Sequence, residues 1–108
     1  MEKIFELEKL VAILEKGGNY FLDFVNLHTL QVGILRLRPL EKDIQEPHSA
    51  DEIYYVIRGN GFIEMNNKKH KIVPNSFIYV PANMEHRFVS NTEELLVAYF
   101  LTNQTNAC

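Results

Sequence analysis

The run Glu46-Pro47-His48-Ser49-Ala50-Asp51-Glu52, continuing into Ile53-Tyr54-Tyr55-Val56-Ile57 and the turn Arg58-Gly59-Asn60-Gly61, carries most of what this 108-residue chain says about its fold. Residues 53–57 are all β-branched or aromatic and end at a glycine turn, which reads as a strand. Side chains two apart on a strand share a face. An inward Glu52 therefore takes Tyr54 and Val56 inward and sends Ile53, Tyr55 and Ile57 outward. Both faces are then apolar, and the outer one needs its own cover. His48 stands four residues before Glu52. On a straight strand the two would lie ~13 Å apart at ~3.3 Å per residue, too far to share an ion, so the chain must bend through Ser49-Ala50-Asp51. Glu46 and His48 are two apart, and Pro47 favours an extended Glu46; both point the same way if this stretch is extended.

A second cluster, Pro81-Ala82-Asn83-Met84-Glu85-His86, follows about one hairpin later and adds a histidine. Pro81 sets its φ, and Asn83 is a residue type that tolerates a left-handed backbone. Asn75 occupies a similar place in Pro74-Asn75-Ser76. His86 and Phe88 share a face of the strand that follows. The two clusters together point to a small β-barrel built around a metal or a small ligand.

The rest of the chain fits that reading. Ile4, Leu7, Val11 and Leu14 recur at three- and four-residue steps, joined by Phe5, Leu10 and Ile13, which predicts an amphipathic helix over about 4–16 that serves as a lid on a sheet. Gly17-Gly18 ends it. Short extended runs follow at Tyr20–Leu27, Leu30–Leu37, Glu52–Arg58, Phe62–Met65, His70–Val73, Phe77–Val80, His86–Val89 and Leu95–Leu101. Turn residues separate them, including Asn66-Asn67-Lys68 and Ser90-Asn91-Thr92. No segment after residue 20 looks helical, so a parallel α/β sheet is excluded and an all-β sandwich or barrel is expected. The expected layout is one domain over 1–108, with the barrel over about 20–101 and a polar tail over 102–108.

Composition narrows the partners. The net charge of −3 leaves no basic stripe for phosphates, so no nucleic-acid partner is expected. The one cysteine, Cys108, has no internal partner and reads as an exposed thiol without a function, in a reducing compartment. The first residues show no leader pattern, and no apolar run approaches the ~20 residues of a membrane helix. A cytoplasmic protein without a membrane partner is expected.

The two clusters resemble the paired motifs of the cupin superfamily, whose members are small antiparallel barrels, or double-stranded β-helices of the jelly-roll kind. The first family motif runs His-x-His, three residues, Glu, then a Gly; here Glu46 takes the first histidine's place, and His48, Glu52 and Gly59 match. In the second, Pro81 and His86 match, Asn83 replaces a glycine, and Asn91 falls one residue late. The resemblance covers about residues 30–101 and implies an antiparallel barrel, to which the periodicity of the first residues adds a short N-terminal helix. It also implies a divalent transition metal (Fe, Mn, Ni or Zn) on His48, Glu52 and His86, with Glu46 as a fourth ligand or as a catalytic base beside the metal. Without Glu46, two histidines and one carboxylate with open positions remain, the set used by non-haem iron oxygenases. A metal-free polar cluster is the alternative.

Three classes of function follow. The first is a metal-dependent enzyme of dioxygenase, isomerase, epimerase or lyase type acting on a small polar organic molecule. The second is a small-molecule or metal-binding module without turnover. The third is a storage or structural protein, which no bias in composition favours. A cupin-type transcription regulator would need a DNA-binding helix pair, and the single helix does not provide one. His28 and His70 have no partner cluster and read as surface positions, and Asp51 as a turn residue. Arg36 and Arg38 alternate with Leu35 and Leu37 and read as a solvated outer face; the sharper option puts one of them inside the barrel against an acidic substrate. Tyr54, Phe62, Tyr79 and Phe88 read as core or pocket wall. The apolar outer faces of Glu52–Arg58 and Phe77–Val80 exceed what a ~12-residue helix can cover, so a homodimer is expected.

Overall fold

The computed structural model describes residues 2–102, and the polar tail with Cys108 lies outside the described residues from 103 onward. One helix, α1 (Leu7–Gly17), precedes β1 (Phe21–Asn26), β2 (Leu30–Leu37), β3 (Glu52–Arg58), β4 (Gly61–Met65), β5 (Lys68–Ile72), β6 (Phe77–Val80), β7 (His86–Val89) and β8 (Leu95–Thr102). The strands form a five-stranded sheet in the order β1-β2-β8-β3-β6 and a three-stranded sheet in the order β5-β4-β7, with antiparallel pairing throughout. This is the expected all-β barrel. The turns use asparagine where the backbone goes left-handed: Asn66, Asn67, Asn75 and Asn83 have φ of 52°, 64°, 73° and 67°, a conformation asparagine accepts more readily than most residues.

The core lies between the sheets. Tyr54 and Val56 of β3, Leu35 and Leu37 of β2, Leu95, Val97 and Tyr99 of β8 and Phe88 of β7 pack there and are buried. Alternation along β3 follows the expected phase, with Glu52, Tyr54 and Val56 buried and Ile53 exposed.

A second cluster sits on the outer face of the larger sheet. Leu10, Val11 and Leu14 of α1 pack on Ile34 and Leu96, so the helix is the lid its periodicity predicts. It ends at Gly18, at φ 79°. It begins later than predicted, because Glu6 is extended and makes no side-chain cap. Phe5 leaves the helical path to pack against Phe24, the rings tilted at 54° with centroids 4.8 Å apart, and Ile4 is 93% exposed. No helix among the described residues is long and apolar enough to cross a membrane.

Arg36 corrects the reading of its strand. It lies on the outer face, as expected, yet it is buried under α1 rather than solvated, 3.1 Å from Glu15 and 3.8 Å from Glu94. The helix lid accounts for this: it covers the face that Arg36 shares with Ile34. Arg38 is exposed. Arg36 Nε and Nη1 have no well-formed hydrogen bond, and a buried charge so poorly compensated adds little stability. Arg36→Met is therefore expected to leave the thermal midpoint unchanged or to raise it. A loss of more than ~1 kcal/mol in denaturant unfolding would contradict this account.

Candidate metal centre

Backbone bonds stitch the two sequence clusters together. After His48 the chain bends at Ser49 and Ala50, as the spacing to Glu52 requires. The amide of Asn83 donates to the His48 carbonyl at 2.6 Å, and the amide of Ala82 donates to Asp51 Oδ1 at 3.0 Å. Asp51 is thus a clamp between the two turns as well as a turn residue. Glu52 opens β3, while His86 opens β7 in the opposite sheet, so the ligand candidates come from both walls of the barrel.

The ligand atoms converge. Glu52 Oε1 lies 3.4 Å from His86 Nε2 and 4.0 Å from His48 Nε2, and the three atoms all lie within 4.8 Å of one another. Glu52 and His86 are buried and His48 is half-buried.

Hydrogen-bond accounting shows what this cluster lacks. His86 Nδ1 is 2.9 Å from the Met84 carbonyl, which can only accept, so in the neutral ring the proton sits on Nδ1 and Nε2 keeps its lone pair. The Tyr54 hydroxyl lies 3.1 Å from that Nε2 but donates its proton to Gln45 Oε1 at 2.9 Å. Gln45 is held in turn, its Nε2 donating to Asp43 Oδ2 at 2.9 Å. Glu52 Oε1 is buried with no hydrogen-bond partner. Two electron-pair donors therefore face each other with no proton between them, and a buried acceptor left this way is unfavourable.

A proton or a cation would resolve this. Burial, the largest influence on His86, works to lower its pKa; the neighbouring Glu52 carboxylate and the Met84 carbonyl, with Asp43 beyond, outweigh burial and raise it. A first-row metal held at ~2.0–2.2 Å would set neighbouring ligand atoms about 3.0–3.5 Å apart. The Glu52–His86 separation of 3.4 Å already fits, and half-buried His48, 4.0 Å from Glu52, has to swing inward to complete the set. The residues suit a divalent transition metal.

Glu46 does not join them. It is exposed and lines an outer depression with Pro47, Glu64 and Glu85, on the other side of His86 from the cavity that His48 and Glu52 line. The segment 38–51 pairs into no strand, and Glu46 and His48 open onto different depressions. His28 and His70 are exposed.

A cavity of about 300 Å³, bordered at its mouth by the exposed side chains of Phe21 and Ile44, adjoins the cluster. His48 and Glu52 form one end, Tyr20, Phe21, Leu35 and Leu101 supply apolar wall, and Asp23, Gln31, Gln45 and Tyr99 contribute polar groups. Of the aromatic residues singled out from the sequence, Tyr54 and Phe88 are core, Phe62 is half-buried, and Tyr79 is exposed on the outer face. Tyr20 donates to Asp43 Oδ1 at 3.2 Å, and burial followed by the Asp43 charge pushes its phenol up to about 12. Burial also holds the Tyr54 and Tyr99 phenols above their ordinary range. All three remain hydroxyl donors at neutral pH. Sequence reasoning missed Asp23, Gln31, Asp43, Gln45 and Tyr99. One signal was present, since Gly33 interrupts a strand, and glycine there marks a close approach.

Known proteins fit this architecture. An uncharacterized protein of Streptomyces coelicolor is 32% identical over 95 residues, covering 88% of this chain and 90% of its own length. A cupin superfamily protein of Desulfitobacterium hafniense superposes with a TM-score of 0.70 at 17% identity, over 78% of this chain and 76% of that one. The DMSP lyase DddQ of Ruegeria pomeroyi superposes with a TM-score of 0.71 at 12% identity, over 82% of this chain and 48% of that one. The pattern of the cupin domain matches residues 33–102, which carry most of β2, all of β3 to β8, both stitched turns and all three ligand candidates, and by that match this chain belongs to the cupin domain family.

Proposed function

We propose that this protein holds one divalent transition metal, of the Fe, Mn, Ni or Zn group, on His48 Nε2, Glu52 Oε1 and His86 Nε2, and acts with it on a small polar organic molecule in the adjoining cavity. The observation that carries the reading is the unpartnered, buried Glu52 oxygen facing the His86 lone pair. A bound metal supplies Lewis-acid polarisation of a ligand oxygen. The chain's own contributions are separate. Apolar side chains line the cavity, His48 and Glu52 bring the ligand set to it, and Tyr20 and Tyr99 fix Asp43 and Asp23 beside it by donating their hydroxyl protons to them. Chemistry of dioxygenase, isomerase or lyase type is consistent with this arrangement, and a lyase among proteins of the same fold supports including that type. Elemental analysis of protein purified without chelators tests the reading. About one equivalent of one such metal per chain is expected, and none after reloading with each in turn would sink it.

The reading extends to assembly. Ile53, Phe77, Tyr79 and Phe100 are exposed by 38–74% on the outer face of adjacent strands β3, β6 and β8. Helix α1 covers Ile34 and Leu96 instead and leaves this patch bare. A contiguous aromatic patch on a sheet suits a second copy of the chain related by two-fold symmetry. Light scattering at micromolar concentration is expected to give about twice the 12.6 kDa of one chain, and Phe77→Glu to return the protein to monomer. A wild-type mass of one chain rules the dimer out.

A further inference from the structure

The cavity has a second polar end, which the metal reading leaves unused. The strand register carries one row of inward positions from Asp23 to Gly33, Tyr99 and Tyr54, and the next from Gln31 to Leu101 and Glu52. Asp23 sits at an irregularity in β1, between Asp23 and Val25. Gly33 opposite it has no side chain, which lets the Tyr99 ring lie across β2 and its hydroxyl reach Asp23. Gln31 Nε2 donates to the same carboxylate at 3.0 Å. Both donors address Asp23 Oδ1. Oδ2 receives no hydrogen bond from the described residues, and the carboxylate lines the cavity.

We propose that Asp23 reads a positively charged, hydrogen-bond-donating head on the small molecule whose oxygen end faces His48, Glu52 and His86, a deepening that rests on the metal-dependent reading above. Three arguments carry it. One oxygen of Asp23 is saturated and positioned by residues from two other strands, while the other is free to accept, as in an assembled acceptor site. The described residues lining the cavity include no lysine or arginine, and Tyr20 and Phe21 present aromatic rings, which favour a cation. A dication would offset the charge of Glu52 at one end but leave the Asp23 end negative. The cavity is thus polarised, with ligand oxygens placed at the metal end and ligand donors at Asp23. A second anionic group would meet Asp23 with no compensating cation. The strands carrying Asp23 and Glu52 are three spacings apart, ~14 Å along the sheet, and inward side chains on a curved sheet shorten that span. A space of about 300 Å³ suits a small ligand. The class is a short amino-substituted oxyacid or alcohol, not a dicarboxylate or a phosphate diester.

The test uses the full chain loaded with zinc, with metal content measured on each sample. Three matched series of four to six carbons, ω-amino acids, simple alkanoates and dicarboxylates, are titrated calorimetrically. One ω-amino acid is expected to bind at least ~10-fold more tightly than the alkanoate and the dicarboxylate of its length, about 1.4 kcal/mol. Asp23→Asn is expected to remove that preference with zinc content unchanged. A dicarboxylate binding as tightly as the amino acid, a preference that survives Asp23→Asn, or no binding by any series with zinc in place overturns the inference and leaves the metal reading standing. Failure of wild-type protein to retain zinc or any other divalent metal overturns both. The wild-type ordering decides the matter even if Asp23→Asn does not fold.

Discussion

The His48→Ala/His86→Ala double variant is expected to lose its metal and keep its fold. Each ring contributes one of three ligand atoms, so affinity should fall by more than the ~100-fold that follows loss of a mere supporting hydrogen bond. The fold survives because His48 is half-buried and the His86 ring meets the polar-tipped rings of Tyr54 and His48, at 5.9 and 5.8 Å between centroids, so little apolar area is lost. Dialysis against chelator, then elemental analysis and circular dichroism, checks both halves; full metal occupancy in the folded variant would refute the assignment. Glu52→Gln separates binding from stability more sharply. It keeps the shape but removes the charge from a buried, unpartnered oxygen. Metal affinity should drop, while the metal-free protein gains stability of about 1–3 kcal/mol as the desolvation penalty is relieved. Glu46→Ala, on an exposed side chain outside the group, should leave affinity within about twofold, as expected of a surface change.

Gly33→Ala is the second large effect. A Cβ built on Gly33 would sit 2.2 Å from the Tyr99 hydroxyl oxygen, 2.3 Å from Tyr99 Cζ and 2.4 Å from the Leu22 carbonyl oxygen. The ring has somewhere to go only by leaving Asp23, and the carbonyl belongs to the neighbouring strand, so the β1–β2 ladder must also shift. Overpacking of this kind costs about 3 kcal/mol or more, which corresponds to a fall in midpoint of roughly 10–20 °C for a domain of this size. Adding Tyr99→Leu should restore only part of the loss, because the clash with Leu22 remains. A fall of less than ~3 °C for Gly33→Ala would show that Tyr99 does not occupy this position.

Legibility from sequence followed the range of the interactions. The bounds of β2, β3, β6 and β7 coincide with the predicted runs because alternation and turn chemistry are local, and Asn75 and Asn83 announced their left-handed turns in the same way. The helix start was misplaced because Ile4 and Phe5 continue the apolar period while packing against Phe24 diverts the chain. His48, Glu52 and His86 were legible because a bend and a turn at set spacing bring them together. For the neighbouring Glu46 the sequence left a site role and a solvated surface position open, because no local signal says which way a side chain outside a paired strand points. Asp23 and Tyr99 meet across 76 residues of chain, and nothing local announces such a meeting. Burial of Arg36 was equally hidden, since it depends on where α1 docks.

The pairing of β2 with β8 also constrains how the molecule forms. Residues 30–37 find their partners at 95–102, and the whole metal cluster lies on the chain between them. Closing so long a loop loses chain entropy before any ladder bond compensates it. Such topologies fold in milliseconds to seconds rather than microseconds. The ligand residues do not depend on that step: β3 pairs with β6, β4 with β7, and the His48 carbonyl with the Asn83 amide, all on the chain between the two late partners, so the metal cluster can gather before the central ladder closes.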